Sequence, residues 1–188
     1  ITQNSTLILI DLQAKLMPVI HEGDHVLKQC TRIAKIARIL NIPIIGTEQS
    51  PRSLGHNVEE ISKFCQQTIN KDHFDACQDG LIEALPQDRR NLVIAGCESH
   101  VCVMQTALGL LKQQYSPTIL IDAIGSRRPL DKEVALHRLY AAGAIASTVE
   151  MMTFEWLETS TNSTTIKSLV KVLTHGSTKS IELTTLYI

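Results

Sequence analysis

The sequence predicts one α/β domain with three layers, in which a doubly wound sheet of about six mainly parallel strands lies between two layers of helices. Short runs rich in isoleucine, leucine and valine alternate with longer segments whose apolar residues recur every three or four positions. The length of 188 residues suits one domain with a substantial core better than two. We therefore interpret residues 1–188 as a single domain.

The strands are predicted from short apolar runs, because strands of a parallel sheet are covered by helices on both faces and need not alternate with polar residues. Four runs are strong and two are weaker. The strong runs are 6–11, 42–47, 91–96 and 118–123, and the weaker ones are 67–71 and 145–150.

Three segments between these strands are predicted to be helices, since their apolar residues follow helical spacing and leave polar residues on the other face. They are 25–40, 101–114 and 131–143. In the third, Asp131 is the expected N-cap and Gly143 the expected stop signal.

The C-terminal part of the chain is predicted to be a helix and a tail, residues 161–188. Residues 161–165 form a polar joint before the helix, 166–173. The tail after it has no periodic pattern, and packing against another subunit is one interpretation of it.

The charge and apolar content predict a soluble globular protein that does not act mainly on nucleic acid. The formal net charge is −1 and no basic stripe is present, which argues against a nucleic-acid partner. No apolar run approaches the roughly 20 residues of a membrane-spanning helix. The first residues also lack the charged region and cleavage site of a signal peptide. We expect no membrane partner.

The cysteines indicate a reducing compartment. There are five, an odd number, and they show neither paired spacing nor the His spacing of a zinc site. They are Cys30, Cys65, Cys77, Cys97 and Cys102. Reduced thiols in the cytoplasm are the simplest interpretation. Cys30, Cys65 and Cys77 are expected to be inert.

The strongest functional signal is a set of reactive side chains where predicted strands end. Asp11 ends the first strand, Lys71 follows a short strand, and Cys102 stands where the helix after strand 91–96 begins. Active sites in such sheets form outside the carboxyl ends of the strands. A helix start and the Lys71 ammonium favour a thiolate at Cys102, whereas the Asp11 charge opposes one. Asp11 is also placed to accept the thiol proton.

The motifs around these three residues resemble those of the isochorismatase-like cysteine hydrolases. That superfamily includes nicotinamidases, N-carbamoylsarcosine amidases and isochorismatases. Its Asp-x-Gln is matched by Asp11-Leu12-Gln13, its lysine by Lys71 in INKDHFDA, and its cysteine turn by GCESHVCV, residues 96–103. The resemblance covers residues of about 5–157 and implies the superfamily's α/β hydrolase fold with Asp11, Lys71 and Cys102 as the catalytic triad.

The resemblance further implies a cis peptide bond between Cys97 and Glu98 and an oxyanion hole formed by the backbone N–H groups of Glu98 and Cys102. Within the superfamily, the sequence is most similar to the isochorismatase domain-containing proteins. That likeness lies in residues 47–61, 96–111 and 122–144.

No metal and no cofactor are expected. The nicotinamidase branch binds a metal through an Asp-x-His and a further His. Here the corresponding stretch is Glu48-Gln49-Ser50-Pro51, followed only by His56.

Four further residues are candidates for substrate contact: Gln13, Gln49, His100 and Arg127. His100 is also the alternative base for Cys102, although its two-residue spacing from the cysteine tends to point the side chains apart. Arg127 is suited to clamp a substrate carboxylate, and a salt bridge within the domain or between subunits is an equal alternative.

The predicted activity is hydrolysis of an amide or related C–N bond in a small molecule, by a protein expected to form homo-oligomers. Three alternatives remain: hydrolysis of a vinyl ether as in isochorismatases, a thiol redox or binding role, and a non-catalytic assembly subunit. Cys97 is the nearest cysteine in sequence for a redox partner of Cys102.

Overall fold

Six parallel strands form one sheet in the order β3-β2-β1-β4-β5-β6. The computed structural model describes residues 2–159 and 163–174. The strands are β1 (Ser5–Ile10), β2 (Ile44–Gln49), β3 (Gln67–Lys71), β4 (Asn91–Cys97), β5 (Ser116–Gly125) and β6 (Ile145–Ser147). The prediction of a doubly wound, six-stranded α/β sheet is confirmed.

Helices cover both faces of the sheet. They are α1 (Gly23–Ile39), α2 (Pro51–Leu54), α3 (Glu59–Ser62), α4 (Leu81–Ala84), α5 (Met104–Lys112), α6 (Pro129–Ala141), α7 (Val149–Leu157) and α8 (Ser163–Thr174). Helices α1, α7 and α8 pack on one face, whereas α4, α5 and α6 pack on the other. No helix in the described ranges is long and apolar enough to cross a membrane.

Strand β1 shows why the strands are apolar without a break. Leu7 and Leu9 belong to the core under α1, whereas Ile8 and Ile10 belong to the core under α5. All four are fully buried. Burial of one such side chain stabilises the fold by about 1.5–3 kcal/mol. In a strand that is buried on both faces, an apolar side chain at every position therefore adds to stability.

The strand order reverses between β1 and β4, which pair directly in parallel. In doubly wound sheets, the loops that leave such a pair diverge and form a crevice at the carboxyl edge. Asp11 immediately follows β1, and Cys102 lies five residues beyond the end of β4. The fold therefore brings both residues to the same crevice.

Gly96 is required for the close approach of β4 to β1. Its φ is +122°, and a Cβ atom added there would lie 2.0 Å from the carbonyl oxygen of Ile10. A side chain at position 96 is therefore excluded by the neighbouring backbone.

The predicted end of the last strand was wrong. The predicted strand 145–150 ends at Ser147, and α7 begins at Val149. The Thr148 hydroxyl accepts a hydrogen bond from the N–H of Met151, and the Asp122 carboxylate accepts one from the N–H of Val149. These caps start a helix in the middle of the apolar run.

The predicted N-cap at Asp131 was also wrong. Helix α6 begins at Pro129, with Arg128 in the cap position, and Asp131 pairs with Arg128 in the first turn. Gly143, with φ +100°, does follow the helix end. Helix α8 starts earlier than predicted and takes in residues 163–165 of the expected joint. The expected tail, residues 175–188, lies outside the described residues.

Candidate active site

Asp11 and Lys71 form a buried ion pair at the carboxyl edge of the sheet. The Lys71 ammonium lies 2.8 Å from Asp11 Oδ2, and neither side chain is exposed to solvent. The Thr47 hydroxyl donates a hydrogen bond of 2.6 Å to the other carboxylate oxygen, Oδ1. Asp11 has a φ of +49°, in the left-handed region. The two predicted residues are thus in direct contact.

Cys102 completes this cluster from the other side of the crevice. It lies in a single wide helical turn, Ser99–Val103, that leads directly into α5. The Glu98 carbonyl accepts hydrogen bonds from the N–H groups of Val101 and Val103 and so fixes the turn. The Cys102 thiol is 6% exposed and interacts with the side chains of both Asp11 and Lys71.

The protonation of this thiol differs from the thiolate that the helix start and Lys71 predict. Burial is the largest effect and the Asp11 charge the next, and together they raise the pKa of Cys102 to about 12 against the opposing effect of Lys71. The Lys71 charge is offset by Asp11 at 2.8 Å. The direction of this shift favours a neutral thiol over the thiolate, so burial and Asp11 oppose the effect of the helix start and Lys71.

Gln49 joins Lys71 to the neighbourhood of the thiol. Its side-chain oxygen accepts a hydrogen bond of 2.6 Å from Lys71 Nζ and lies 3.8 Å from Cys102 Sγ. Its side-chain nitrogen donates to the Asp72 carbonyl at 2.8 Å, which fixes the orientation of the amide. Gln49 is therefore at the cluster, as its position at the end of β2 suggests.

Gln13 is buried behind the cluster. Its side-chain oxygen accepts from the backbone N–H of Gln49, and its side-chain nitrogen donates to the carbonyls of Gln49 and Gly55. All polar atoms of this amide are thus bound to backbone groups. In the structure, Gln13 fixes the chain after β1 to the end of β2 and does not face an open pocket.

The other two candidates for substrate contact, Arg127 and His100, have polar partners outside the cysteine cluster. Arg127 donates from Nε to the Glu98 carboxylate at 3.0 Å, and its own side chain is 59% exposed. The salt bridge considered for Arg127 is therefore formed within the chain. His100 places Nδ1 3.0 Å from the Ser126 hydroxyl and Nε2 3.9 Å from Asp131, so both ring nitrogens have partners other than Cys102.

The backbone before this turn is unusual, since the peptide bond between Cys97 and Glu98 is cis. A polar cavity of about 510 Å³ lies beside Lys71 and is lined by residues 50–53 and 70–72. A smaller cavity of about 310 Å³ is lined by His100, Arg127, Arg128 and Asp131. The first cavity includes Lys71 in its lining, the second includes His100, two residues before Cys102, and both are large enough for small organic groups.

The remaining four cysteines are unpaired by disulfides. Burial raises the pKa of each of Cys30, Cys65, Cys77 and Cys97 above its ordinary value. The sequence did not single out Thr47, which binds Asp11. Threonine is common in strands, so its presence at position 47 does not indicate this contact.

Within the described ranges, no group of three or more His, Cys, Asp or Glu residues is arranged to hold a metal ion. At the position of the nicotinamidase ligands, Glu48 accepts from the N–H of Asn57 and pairs with His56 at 2.9 Å. The His56 side chain is 80% exposed. Glu48 thus fixes a loop.

Comparison with known proteins gives a consistent set of relatives. The isochorismatase domain model matches residues 5–151. Isochorismatase family protein 1A of Dictyostelium discoideum is 35% identical over 159 residues, which cover 80% of this chain and 77% of the relative. Isochorismatase domain-containing protein 2 of Bos taurus is 36% identical over 155 residues, covering 81% and 74% of the two chains.

Solved structures agree. The MAR1 ribonuclease of Caenorhabditis elegans superposes with a TM-score of 0.85 at 32% identity, over 90% of this chain and 89% of that one. The YcaC protein of Escherichia coli, described as an octameric hydrolase of unknown specificity, superposes with a TM-score of 0.90. Its identity is 22%, over 99% of this chain and 94% of that one, and this likeness shows the fold alone.

Proposed function

The chain belongs to the isochorismatase domain family, and we propose that it is a hydrolase that cleaves an amide or related C–N bond of a small molecule, with Cys102 as nucleophile. One observation carries the proposal. The Cys102 thiol interacts with both members of the buried Asp11 and Lys71 ion pair, so a nucleophile, a base and a cation share one crevice.

The first half of the reaction transfers one proton and forms one covalent bond. Cys102 Sγ attacks the substrate carbonyl carbon while its proton passes to the Asp11 carboxylate. The C–N bond then breaks, and Asp11 returns that proton to the departing amine. A thioester remains on Cys102. A neutral resting thiol fits this sequence, because the base removes the proton only as the new bond forms.

The second half releases the acid. The regenerated Asp11 carboxylate takes a proton from water, and the resulting hydroxide attacks the thioester carbon. The C–S bond breaks, and the Asp11 proton returns to the Cys102 sulfur. Lys71 keeps Asp11 in place through the contact of 2.8 Å and offsets the negative charge that develops beside it.

The backbone N–H groups of Glu98 and Cys102 are the oxyanion hole in this proposal. Both belong to the turn that carries the nucleophile. Donors of this kind commonly contribute about 3–4 kcal/mol to acyl transfer. Gln49, His100 and Arg127 are the proposed substrate contacts. Gln13 acts as a positioning residue, which its three backbone hydrogen bonds support. The proposed reaction uses no metal and no cofactor.

Two other activities, ether hydrolysis and RNA cleavage, are outcomes of the same test, and a contact of Cys97 argues against a third, a thiol redox role. The superfamily includes ether hydrolysis, and the C. elegans relative is named a ribonuclease. The net charge of −1 argues against RNA as a substrate here. A thiol redox role would need a second cysteine near Cys102, and Cys97 Sγ instead faces Met17 Sδ at 3.9 Å.

The assembly and the compartment are part of the proposal. Exposed apolar side chains on α6, β6 and α7 support a homo-oligomer: Leu130, Val134, Ile145 and Met151. The octameric description of the E. coli structure agrees with this. The five unpaired cysteines support a cytoplasmic location.

A substrate library tests the proposal. The purified protein is incubated with amides, ureas, vinyl ethers and short RNAs, and released amines, carbonyl compounds and nucleotides are measured. We expect amine release that is lost in Cys102→Ala and retained in Cys77→Ala, a matched change at a cysteine outside the cluster. Turnover that persists in Cys102→Ala would contradict the proposal. Release of carbonyl compounds or nucleotides alone would assign the site to another bond.

A further inference from the structure

A groove between α1 and α8 lies apart from the cysteine cluster and shares no residue with it. Its volume is about 450 Å³, within the range of small-molecule sites. The lining residues are Asp24, Leu27, Lys28, Thr31, Arg32, Lys35, Glu60, Lys171 and Val172. Leu27 and Val172 form its apolar part, and both pack on the core that lies under α1 and α8.

The rim of the groove has a positive charge. Lys28, Arg32 and Lys35 follow one another at spacings of four and three residues, so they line one face of α1. Lys171 faces them from α8. Only two carboxylates, Asp24 and Glu60, line the groove against these four cations.

Three of these cations have no carboxylate partner. Within residues 2–159 and 163–174, no ion pair or hydrogen bond involves the ammonium of Lys28, Lys35 or Lys171. Like charges four residues apart destabilise a helix by a few tenths of a kcal/mol. Asp24 and Glu60 offset only part of this charge, so the groove keeps an excess of positive charge.

We propose that this groove is a binding site for a small amphipathic anion, with an aliphatic body on Leu27 and Val172 and a carboxylate or similar head group beside Lys28 and Lys171. The occupant is a single free molecule. The apolar floor accounts for the body, and the unpaired cations account for the sign of the head group. This site is independent of the hydrolase activity.

Isothermal titration of the full chain with dodecanoate, below its micelle concentration, tests this. We expect one saturable site per chain, and weaker binding of dodecyltrimethylammonium, which has the same body and the opposite charge. The double variant Lys28→Gln with Lys171→Gln should weaken dodecanoate binding about tenfold, the loss of two partly exposed charge pairs. Lys112→Gln, an exposed lysine on α5, should leave the affinity unchanged.

Four results would overturn the proposal: absence of dodecanoate binding, equal affinity for the two head groups, unchanged affinity in the double variant, or loss of binding in Cys102→Ala. The last result would place the ligand in the cysteine cluster. A further arm uses phosphatidylglycerol vesicles. Sedimentation with vesicles together with no affinity for free dodecanoate would assign the groove to a membrane surface instead. Circular dichroism of each variant verifies that it is folded.

Discussion

The Lys71 ammonium lies 2.8 Å from the Asp11 carboxylate, and the two side chains are fully shielded from water. Removing either charge should destabilise the fold, because an isolated buried charge is far more costly than a buried ion pair. The same contact determines the chemistry of Cys102. Asp11 offsets the cation that would otherwise favour a thiolate, and it is itself a carboxylate that interacts with the thiol.

The pair should dominate the stability of the site. Lys71→Met leaves the Asp11 carboxylate buried without its cation and is expected to lower the free energy of unfolding by about 3–5 kcal/mol. The double variant Asp11→Asn with Lys71→Met should recover part of this loss. Urea unfolding measures both. Arg128→Gln, which breaks an exposed pair with Asp131, is the control and should have no measurable effect. If Lys71→Met and Arg128→Gln lowered the free energy of unfolding equally, the Asp11 and Lys71 pair would not be buried.

The reactivity of Cys102 should respond oppositely to its two neighbours. Asp11 raises the pKa of the thiol and Lys71 lowers it. Asp11→Asn should therefore speed alkylation of Cys102 by iodoacetamide between pH 7 and 9, and Lys71→Met should slow it. Mass spectrometry of the Cys102 peptide gives the rates, with the Cys65 peptide as an internal reference. An unchanged alkylation rate in Asp11→Asn would show that Asp11 does not interact with the thiol, and a slower rate would contradict the direction of its effect.

The protein should lose stability at alkaline pH. Burial raises the folded-state pKa of Cys30 and Cys97 above the roughly 8.5 of an unfolded thiol. This contribution to stability is complete below the unfolded pKa and is lost as the pH rises toward the folded one. Between these two pKa values, each buried thiol lowers the free energy of unfolding by about 1.4 kcal/mol per pH unit.

Urea unfolding at pH 8 and pH 10, with reductant present, measures this loss. Cys30→Ala should show a smaller difference between the two pH values, although it is less stable at both. An unfolding free energy that stays constant from pH 8 to pH 10 would be inconsistent with neutral buried thiols.

Gly96 should tolerate no side chain. Gly96→Ala places a Cβ atom 2.0 Å from the Ile10 carbonyl oxygen, so β1 and β4 must separate where Asp11 and the Cys102 turn leave the sheet. We expect insoluble or inactive protein. Gly143→Ala is the matched control, because Gly143 also has a positive φ, +100°, but nothing lies within 4 Å of the added atom. It should cost only about 1 kcal/mol, measured by thermal unfolding. Comparable stability of the two variants would contradict the close contact.

The sheet and the meeting of Asp11, Lys71 and Cys102 were predictable from the sequence. Apolar runs define parallel strands, and the carboxyl ends of those strands share one edge. The α7 boundary was not predictable, because a short apolar run such as 145–157 has the same composition in a strand and in a buried helix. The helix start depends on the Thr148 hydroxyl, which accepts from the N–H of Met151, and on the Asp122 carboxylate, which is distant in sequence and accepts from the N–H of Val149.

The protonation of Cys102 was not predictable for a related reason. A sequence shows that Lys71 and Asp11 reach the same edge, but the charge that the thiol experiences depends on the separation between them. Burial of the thiol adds a further effect that sequence spacing does not report. The positioning role of the Gln13 amide was not predictable either, because its three backbone partners belong to residues 49 and 55, which are distant in sequence.

Trapping the covalent intermediate tests the central claim most directly. Once the library identifies a substrate, the reaction is quenched in acid within its first turnover, and the digested protein is analysed by mass spectrometry. We predict that the acyl part of the substrate is attached to the Cys102 peptide, and that Asp11→Asn carries no more than a trace of it because no carboxylic acid is left to protonate the departing amine. Turnover with no adduct on Cys102 in the wild-type protein, or an adduct on another cysteine, would contradict the account.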